Sequence, residues 1–547
     1  MITRCLALFW LSMALGSAAD ALSTQPAPDL AKNPAPVALP LNPALPTLFI
    51  AGDSTAARGK GEMQQGWGVP FADYFDPEKV NIANRARGGR SSRTFITGGE
   101  WGQLLADLKA GDLVLIQFGH NDGGAINDEP PPPLRARGSL PGLGEETKAI
   151  DNVVTKQHEV VHTFGWYIRR MIGEVQAKGA TPVLLGLTIR NRWQDGRIER
   201  GPGRYNGWLQ QLAVDHNLAF GEVSNAVADQ FEAMGPARTA EFYPQDHTHF
   251  SAAGADLHAR AVVAALKGMR PRDAKGATKP QGDPGGPIPG FHDLLSTRGR
   301  EVETDASAWL RLPVPADPSL PTLFLAGDST VRNGGGDGSN GEWGWGDFLA
   351  PHLRLDRINL VNRAVGGTGV ETFRAIGYWR RLLAMVKPGD LVVMQWGHND
   401  NPPRGPARGI GDQTEDLPDP KTKQLRPMHS WGWYLRQNIA EVRARGATPI
   451  VCSLVPRKRW TDGKVARSNE SFALWARQVA EQEGVAFIDL NERVAQRYDT
   501  LGTDAVNALF ADEHTHTNAA GAKLNAEVVA EELRKLPGNP LGTYLRP

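Results

Sequence analysis

Short runs of consecutive apolar residues alternate along the chain with longer stretches in which apolar residues recur every three or four positions. Residues 47–51, 112–117 and 182–187 are such runs and predict buried strands. Between the last two, residues 164–178 carry a helical pattern that stops at Gly179. Buried strands that alternate with helices are typical of a parallel sheet covered on both faces. The pattern therefore predicts an α/β fold.

Three short motifs occur twice, in the same order. Gly-Asp-Ser-Thr begins at Gly52 and again at Gly327, and Gly-His-Asn-Asp begins at Gly119 and again at Gly397. His-Thr-His stands at 247–249 and at 514–516. Blocks that repeat in order and spacing indicate two copies of one domain.

The repeat and the local composition divide the 547 residues. Phe291, Leu294, Leu295 and Trp309 could pack on either domain, so the segment that contains them is assigned to neither. We expect a signal peptide at 1–21, a Pro/Ala-rich leader at 22–44, domain 1 at 45–268, a linker at 269–319, domain 2 at 320–537 and a C-terminal tail at 538–547.

The first residues have the pattern of an export signal. Arg4 precedes the apolar run 6–15, and small residues follow it at Ser17 and Ala19. The run is too short to cross a bilayer, so we expect a secreted or periplasmic protein that leaves the membrane once the signal is removed. The formal net charge of +0 gives no reason to expect a nucleic-acid partner.

The chain has two cysteines, Cys5 and Cys452. Cys5 lies inside the predicted signal, so the mature chain would have a single cysteine and no internal disulfide. Cys452 follows an apolar run, where an inert core thiol is expected.

A serine, a histidine and an aspartate predict acyl-transfer chemistry in domain 1. In parallel sheets the ligand site forms beyond the carboxyl ends of the strands, and Ser54 directly follows the first predicted strand. A serine hydroxyl needs a base to take its proton, and His249 is the candidate. Asp246, three residues earlier, can reach the imidazole and stabilise its charged form.

Three groups could bind the negative charge that develops on the substrate oxygen. Asn121 offers a side-chain N–H, and Gly89 lacks a Cβ that would keep its backbone N–H from a ligand. Together with the N–H of Ser54 they would form an oxyanion hole.

These blocks resemble the SGNH hydrolase superfamily, whose members carry a Ser, a Gly, an Asn and a His in four separate motifs. More narrowly, the chain is similar to the rhamnogalacturonan acetylesterases. That resemblance rests on Gly-Asp-Ser-Thr at 52–55, on Asn-Arg-Ala-Arg-Gly-Gly-Arg-Ser-Ser-Arg-Thr-Phe at 84–95, on Gly-His-Asn-Asp at 119–122 and on Asp-His-Thr-His at 246–249.

The resemblance implies fold, activity and partners. It implies two tandem three-layer α/β/α sandwiches with flavodoxin-like parallel sheets. The implied reaction is removal of O-acetyl groups from acetylated plant cell-wall polysaccharide of the pectic type, without a metal or cofactor. The oligomeric state does not follow from it.

Domain 2 repeats the reactive residue types with two differences. Ser329, Gly367, Asn399 and His516 match the four motif residues, but Glu513 stands three positions before the histidine. We expect Glu513 to orient His516, with Asp512 as the reserve.

The second difference is beside the oxyanion glycine. Arg90 and Arg93 have no counterpart in domain 2, where Thr368 and Glu371 replace them. The arginines are candidate contacts for an acidic sugar, or they brace the loop. Trp193 and Trp460, each after an arginine that follows a predicted strand, are candidate sugar-stacking residues, although a repeated tryptophan is more often part of a core.

Three other functions remain open. Asp246, His247 and His249 could be metal ligands of a metal hydrolase. Domain 2 could bind carbohydrate without cleaving it. The substrate could also be a lipid, thioester or aryl ester rather than a sugar ester.

Overall fold

The computed structural model describes residues 40–129, 132–194, 196–200, 204–270, 285–305, 310, 312–336, 338–419 and 423–547. The predicted signal peptide, the leader up to residue 39, residues 271–284 of the predicted linker and Trp309 lie outside these ranges. Within the described residues, no helix is long and apolar enough to cross a membrane.

The described residues of domain 1 form nine strands and seven α-helices. The strands are β1 (Thr47–Gly52), β2 (Asn81–Asn84), β3 (Leu113–Gln117), β4 (Thr147–Asp151), β5 (His158–His162), β6 (Thr181–Leu185), β7 (Trp193–Gln194), β8 (Arg197–Ile198) and β9 (Ala219–Gly221). The helices are α1 (Ser92–Thr97), α2 (Glu100–Asp107), α3 (Phe164–Ala177), α4 (Tyr205–Asp215), α5 (Val223–Met234), α6 (Pro236–Ala240) and α7 (Ala252–Gly268).

Domain 2 repeats this order after a short helix α8 (Thr297–Glu301). Its strands are β10 (Thr322–Gly327), β11 (Asn359–Asn362), β12 (Leu391–Gln395), β13 (Thr414–Pro418), β14 (Leu425–His429), β15 (Thr448–Cys452), β16 (Trp460–Thr461), β17 (Lys464–Val465) and β18 (Ala486–Ile488). Its helices are α9 (Val370–Ala375), α10 (Tyr378–Met385), α11 (Trp431–Ala444), α12 (Phe472–Glu483), α13 (Leu490–Leu501), α14 (Thr503–Asn507) and α15 (Ala519–Arg534).

Each domain is built on a parallel five-stranded sheet. The order is β2-β1-β3-β6-β9 in domain 1 and β11-β10-β12-β15-β18 in domain 2. Numbered within one sheet, both orders read 2-1-3-4-5, which is the flavodoxin-like arrangement. The predicted fold class, two tandem α/β/α sandwiches, is therefore confirmed. The remaining strands form four two-stranded antiparallel hairpins, β4–β5, β7–β8, β13–β14 and β16–β17.

A hydrophobic core covers both faces of each sheet. Alternate residues of β1 point to opposite sides, so that Leu48 and Ile50 join one core cluster while Phe49 and Ala51 join the other. In domain 2, β10 is divided in the same way between two clusters. Cys452 is buried in one of them, and burial raises the pKa of its thiol, as expected for an inert thiol.

The segment assigned to the linker packs partly on each domain. Phe291 and Leu295 are buried in the core of domain 1, whereas Leu310 and Leu312 are buried in the core of domain 2. The C-terminal segment also packs on domain 2, since Leu541 and Leu545 are buried there.

The two domains contact each other through surfaces that are not equivalent in the two repeats. Arg363 of domain 2 lies 3.1 Å from Glu222 of domain 1, and its side chain is 1% exposed. Arg197 of domain 1 donates to the carbonyls of Leu383, Ala384 and Val386, at the end of α10. An arginine in this position satisfies carbonyl groups that a helix end leaves unpaired.

Candidate active site

The end of a central strand positions Ser54. Strand β1 pairs with β2 on one side and β3 on the other, and the chain turns sharply after Gly52. Asp53 fixes this turn, since its Oδ1 accepts from the backbone N–H and the hydroxyl of Thr55, both at 2.9 Å. The serine is therefore presented at the carboxyl edge of the sheet, where the sequence predicted it.

His249 reaches Ser54 from the loop before α7. Its Nε2 lies 2.9 Å from Ser54 Oγ, and its Nδ1 lies 2.7 Å from Asp246 Oδ2. The backbone N–H groups of Thr248 and His249 donate to Asp246 Oδ1. Burial opposes the ionisation of Asp246, but these hydrogen bonds outweigh it and lower its pKa. The carboxylate is thus held in its charged form beside the imidazole.

Domain 2 has the same chain of contacts. Ser329 Oγ lies 2.9 Å from His516 Nε2, and His516 Nδ1 lies 2.7 Å from Asp512 Oδ2. Asp512 Oδ1 accepts from three successive backbone N–H groups, those of His514, Thr515 and His516.

The prediction that Glu513 orients His516 is therefore wrong. Asp512, the alternative considered from the sequence, contacts His516 Nδ1, and Glu513 is exposed to solvent. The loops before the two histidines have the same length, since α6 and α14 begin equally far before them. The carboxylate that meets the imidazole nevertheless stands four positions before the histidine in domain 2 and three positions before it in domain 1. A shorter side chain held by backbone N–H groups fits this loop.

The candidate oxyanion groups lie on loops that meet at the serine. The segment before Gly89 is tied to β1, since Arg87 N donates to Gly52 O at 3.0 Å. Gly89 has φ +77°, a conformation that favours glycine. Asn121 Nδ2 donates to Arg90 O at 2.9 Å and has a second hydrogen for a ligand.

Domain 2 repeats this geometry. Gly367 also has φ +77°, and Asn399 Nδ2 donates to Thr368 O at 3.2 Å. A Cβ added to Gly366 would lie only 3.4 Å from that of Ser329, which shows how closely the glycine loop approaches the nucleophile.

The histidine of the Gly-His-Asn-Asp motif has different partners in the two domains. His120 Nε2 contacts Thr188 Oγ1 at 2.9 Å in domain 1, and burial and then the charge of Arg190 lower the pKa of His120. In domain 2, His398 Nδ1 lies 3.1 Å from Asp328 Oδ2 and His398 Nε2 donates to Val455 O at 3.0 Å.

The aspartate beside this histidine differs accordingly. Burial raises the pKa of Asp53 to about 6. Burial acts in the same direction on Asp328, but the charge of His398 and the hydrogen bonds from His398 and Thr330 together outweigh it and lower the pKa of Asp328. The two nucleophilic serines therefore follow aspartates of unlike electrostatic environment.

The aspartate that follows the oxyanion asparagine anchors the first helix. Asp122 Oδ1 accepts from the Ser92 backbone N–H and hydroxyl and from the Ser139 hydroxyl. In domain 2, Val370 and Pro406 replace these serines, and the Val370 N–H donates to Asp400 at 2.7 Å. Burial raises the pKa of Asp122 to about 6 and that of Asp400 to about 8.

Asp400 should make the stability of domain 2 fall with rising pH. A carboxyl group whose pKa is raised by folding stabilises the folded state below about pH 4, and this contribution is lost as the pH rises to the folded pKa. We compare the melting temperature of Asp400→Asn with that of the unmodified protein. The difference in favour of the variant should grow by about 5 °C between pH 5 and pH 8. Thermal unfolding curves across this range measure the difference.

The matched control is Asp122→Asn in domain 1. The difference in melting temperature between Asp122→Asn and the unmodified protein should stop growing near pH 6, because burial raises the pKa of Asp122 only to about 6. A difference in melting temperature between Asp400→Asn and the unmodified protein that is constant from pH 5 to pH 8 would contradict the prediction.

The prediction that Arg93 contacts substrate is wrong. Its side chain is 0% exposed, and its guanidinium binds Glu159 through two nitrogens, each at 2.7 Å. The carbonyls of Ile126 and Gly138 accept from its remaining N–H groups. Arg93 therefore joins α1 to the hairpin β4–β5.

Domain 2 carries the same ion pair with the charges exchanged. Glu371 occupies the position of Arg93, and Arg426 occupies the position of Glu159. Arg426 Nη1 lies 3.2 Å from Glu371 Oε1. The loss of the arginine is thus compensated within the fold.

Arg90 and the two tryptophans are partly engaged in structural contacts. Arg90 Nε donates to Glu100 Oε1 at 2.8 Å, and its side chain is 11% exposed. Trp193 and Trp460 are half-buried against the cores of their domains, and Trp193 Nε1 donates to Asn191. A contact of these three residues with substrate stays a prediction.

Sequence reasoning missed Glu342. Among the described residues, one group of side chains could hold a cation, and it consists of Glu342, Asp512 and His516. The set considered as metal ligands from the sequence was in domain 1, but there His247 Nε2 accepts from Arg192 at 2.8 Å. The available signal was the position of Glu342, one residue removed from the Gly-Trp-Gly segment that both domains share.

The sequence matches one family in both domains. The profile of the GDSL-like lipase/acylhydrolase family matches residues 50–257 and 325–524. A rhamnogalacturonan acetylesterase of Emericella nidulans is 36% identical over 221 residues, which are 40% of this chain and 84% of that protein. A probable rhamnogalacturonan acetylesterase of Bacillus subtilis, YesY, is 32% identical over 224 residues, which are 40% of this chain and 94% of that protein.

Among solved structures, Axe2, an acetylxylan esterase from Geobacillus stearothermophilus, aligns with 17% identity and a TM-score of 0.27. The alignment covers 39% of this chain and 93% of that one. The family profile covers most of both domains, and the resemblance expected from the sequence is confirmed. The chain therefore belongs to the GDSL-like lipase/acylhydrolase family and is a carboxylic ester hydrolase.

Proposed function

We propose that the protein is an exported serine carbohydrate esterase that removes O-acetyl groups from pectic polysaccharide such as rhamnogalacturonan, with one active site in each domain. The observation that carries this proposal is the chain of contacts from hydroxyl to imidazole to carboxylate. It joins Ser54 to His249 and Asp246, and it recurs with the same distances at Ser329. The names of the two curated relatives support the choice of substrate.

The first step forms an acetyl-enzyme. His249 Nε2 takes the proton of Ser54 Oγ as the oxygen attacks the acetyl carbonyl carbon, and the carbonyl oxygen becomes negatively charged. The N–H groups of Ser54, Gly89 and Asn121 stabilise this oxyanion. The carbon–oxygen bond to the sugar then breaks, and the imidazolium returns its proton to the departing sugar hydroxyl.

The second step releases acetate. Water gives a proton to His249 Nε2 and attacks the ester carbonyl of the acetylated Ser54. The new tetrahedral intermediate uses the same oxyanion hole, and Ser54 leaves as it regains the proton from the histidine. Asp246 remains ionised throughout and stabilises the imidazolium in both steps.

Release of acetate from acetylated rhamnogalacturonan and acetylated xylan tests the proposal. We expect Ser54→Ala and Ser329→Ala each to retain the activity of the other domain, and the double variant to release none. A chelator should leave the rate unchanged, because the proposed steps use no metal.

Three results would contradict parts of the proposal. Activity in the double variant would refute the two nucleophiles. Cleavage of long-chain or aryl esters without acetate release from either polysaccharide would refute the substrate. A Ser54→Ala variant without any esterase activity would refute catalysis by domain 2 and favour a carbohydrate-binding role for it.

A further inference from the structure

A second carboxylate lies beside the catalytic histidine of domain 2. Glu342 Oε1 is 3.7 Å from His516 Nδ1, the nitrogen that contacts Asp512 Oδ2 at 2.7 Å. The other oxygen of Glu342 accepts from Asn333 Nδ2 at 2.6 Å, which fixes the carboxylate. The side chains of Glu342 and His516 are 22% and 27% exposed, so water screens this contact only in part.

Domain 1 has a neutral residue at the same place. The residue after Gln64 donates its backbone N–H to Phe250 O at 3.0 Å, and the residue after Glu342 donates to Thr517 O at 2.8 Å. Phe250 and Thr517 each directly follow the catalytic histidine. Gln64 and Glu342 are therefore equivalent positions, and domain 1 lacks the second negative charge.

Most of the other charged groups around the histidine are common to both domains, but two are not. Lys458 of domain 2 takes the place of Asn191, and Glu199, whose charge acts on His247 in domain 1, is replaced by Ala466 in domain 2. In domain 2, Arg459 donates to His514, the residue two positions before His516, and Arg457 donates to the carbonyl of His398. Arg192 and Arg190 make the corresponding contacts in domain 1. Asp512 takes the role of Asp246 in domain 2. Asp328 and His398 occupy the positions of Asp53 and His120, but they contact each other, and the pKa of Asp328 is lowered where that of Asp53 is raised.

Resting on the function proposed above, we propose that Glu342 is a positioning residue of domain 2 that stabilises the imidazolium formed on His516 during acyl transfer. A carboxylate within 4 Å favours the charged ring over the neutral one. The transition state carries this charge and the resting site does not, so the contact accelerates the reaction.

The test compares variants in the full chain with one nucleophile removed, and p-nitrophenyl acetate is the substrate. In the Ser54→Ala background, Glu342→Gln should lower kcat about fivefold, with KM unchanged. The acid limb of kcat/KM should move down by about half a pH unit. In the Ser329→Ala background, Gln64→Glu should move the acid limb of the kcat/KM profile of domain 1 to higher pH.

Two comparisons separate charge from structure. Glutamine has the shape of glutamate and can still accept from Asn333, whereas Glu342→Ala loses both charge and contact. A Glu342→Gln variant with the kcat and pH profile of its parent, together with an impaired Glu342→Ala variant, would overturn the proposal in favour of a packing role. Added salt should reduce the difference between glutamate and glutamine, since it screens half-buried charges.

The outcomes also distinguish this inference from the proposed function. Labelling of Ser329 by a fluorophosphonate, followed by mass spectrometry, reports whether domain 2 has an activated serine. If domain 2 is active and labelled, but its pH profile is the same with and without Glu342→Gln, only the role of Glu342 is overturned. A domain 2 that neither cleaves the ester nor takes the label overturns both.

Discussion

Asp512→Asn should lower ester cleavage by domain 2 about 10³- to 10⁴-fold, while Glu513→Gln leaves it unchanged. Asparagine keeps the shape of the residue but presents no charge to the imidazolium and stabilises the wrong tautomer of His516. Glu513 is exposed, and Asp512 makes the contact with the ring. The rate is measured in the Ser54→Ala background, so that domain 2 alone contributes.

Asp246→Asn in the Ser329→Ala background is the matched control in domain 1. It should produce a loss at least as large, since His249 Nδ1 and His516 Nδ1 lie at the same 2.7 Å from their carboxylates and domain 1 has no carboxylate at the position of Glu342. A large loss from Glu513→Gln together with a small one from Asp512→Asn would reverse the assignment made here.

Arg93→Glu should destabilise domain 1 by about 3–5 kcal/mol, and a second substitution, Glu159→Arg, should restore most of that loss. The single variant buries two like charges at a contact where the present pair is joined by two hydrogen bonds. The double variant recreates the arrangement that domain 2 already has, with Glu371 on the helix and Arg426 on the hairpin. Chemical denaturation of the two variants and the parent measures the change.

The restoration should be incomplete for a structural reason. Arg93 also donates to the carbonyls of Ile126 and Gly138, and an arginine at position 159 approaches from the other side. Glu371→Arg in domain 2 is the mirror control, because it places two arginines together. Equal stabilities for Arg93→Glu and the double variant would show that the pair is not coupled.

The fold and the reactive serines and histidines could be predicted because they depend on local patterns. A buried strand that is followed by Gly-Asp-Ser places Ser54 at the carboxyl ends of the strands, and this placement depends only on residues close in sequence. The partner of His516 could not be predicted in this way. The choice between Asp512 and Glu513 depends on the path of the loop and not on its length, so the spacing in domain 1 gave the wrong answer.

Arg93 was misjudged because its partner is distant in sequence. Glu159 lies 66 residues away, and nothing near Arg93 indicates that it is buried. The signal was present in the repeat itself, since both members of the pair change sign between the domains. Two opposite charge reversals in equivalent positions favour a mutual contact over two separate contacts with a ligand.

The contact of Arg197 with the end of α10 makes each repeat depend on the other. Domain 1 supplies the group that satisfies the last carbonyls of a helix in domain 2, and Glu222 neutralises the buried Arg363. Domain 2 without domain 1 would lose the arginine that binds the carbonyls at the end of α10 and the carboxylate that pairs with Arg363, and it would expose the surface that these contacts cover. The halves are therefore expected to melt as one cooperative unit, and their activities are better separated by silencing one serine than by truncation.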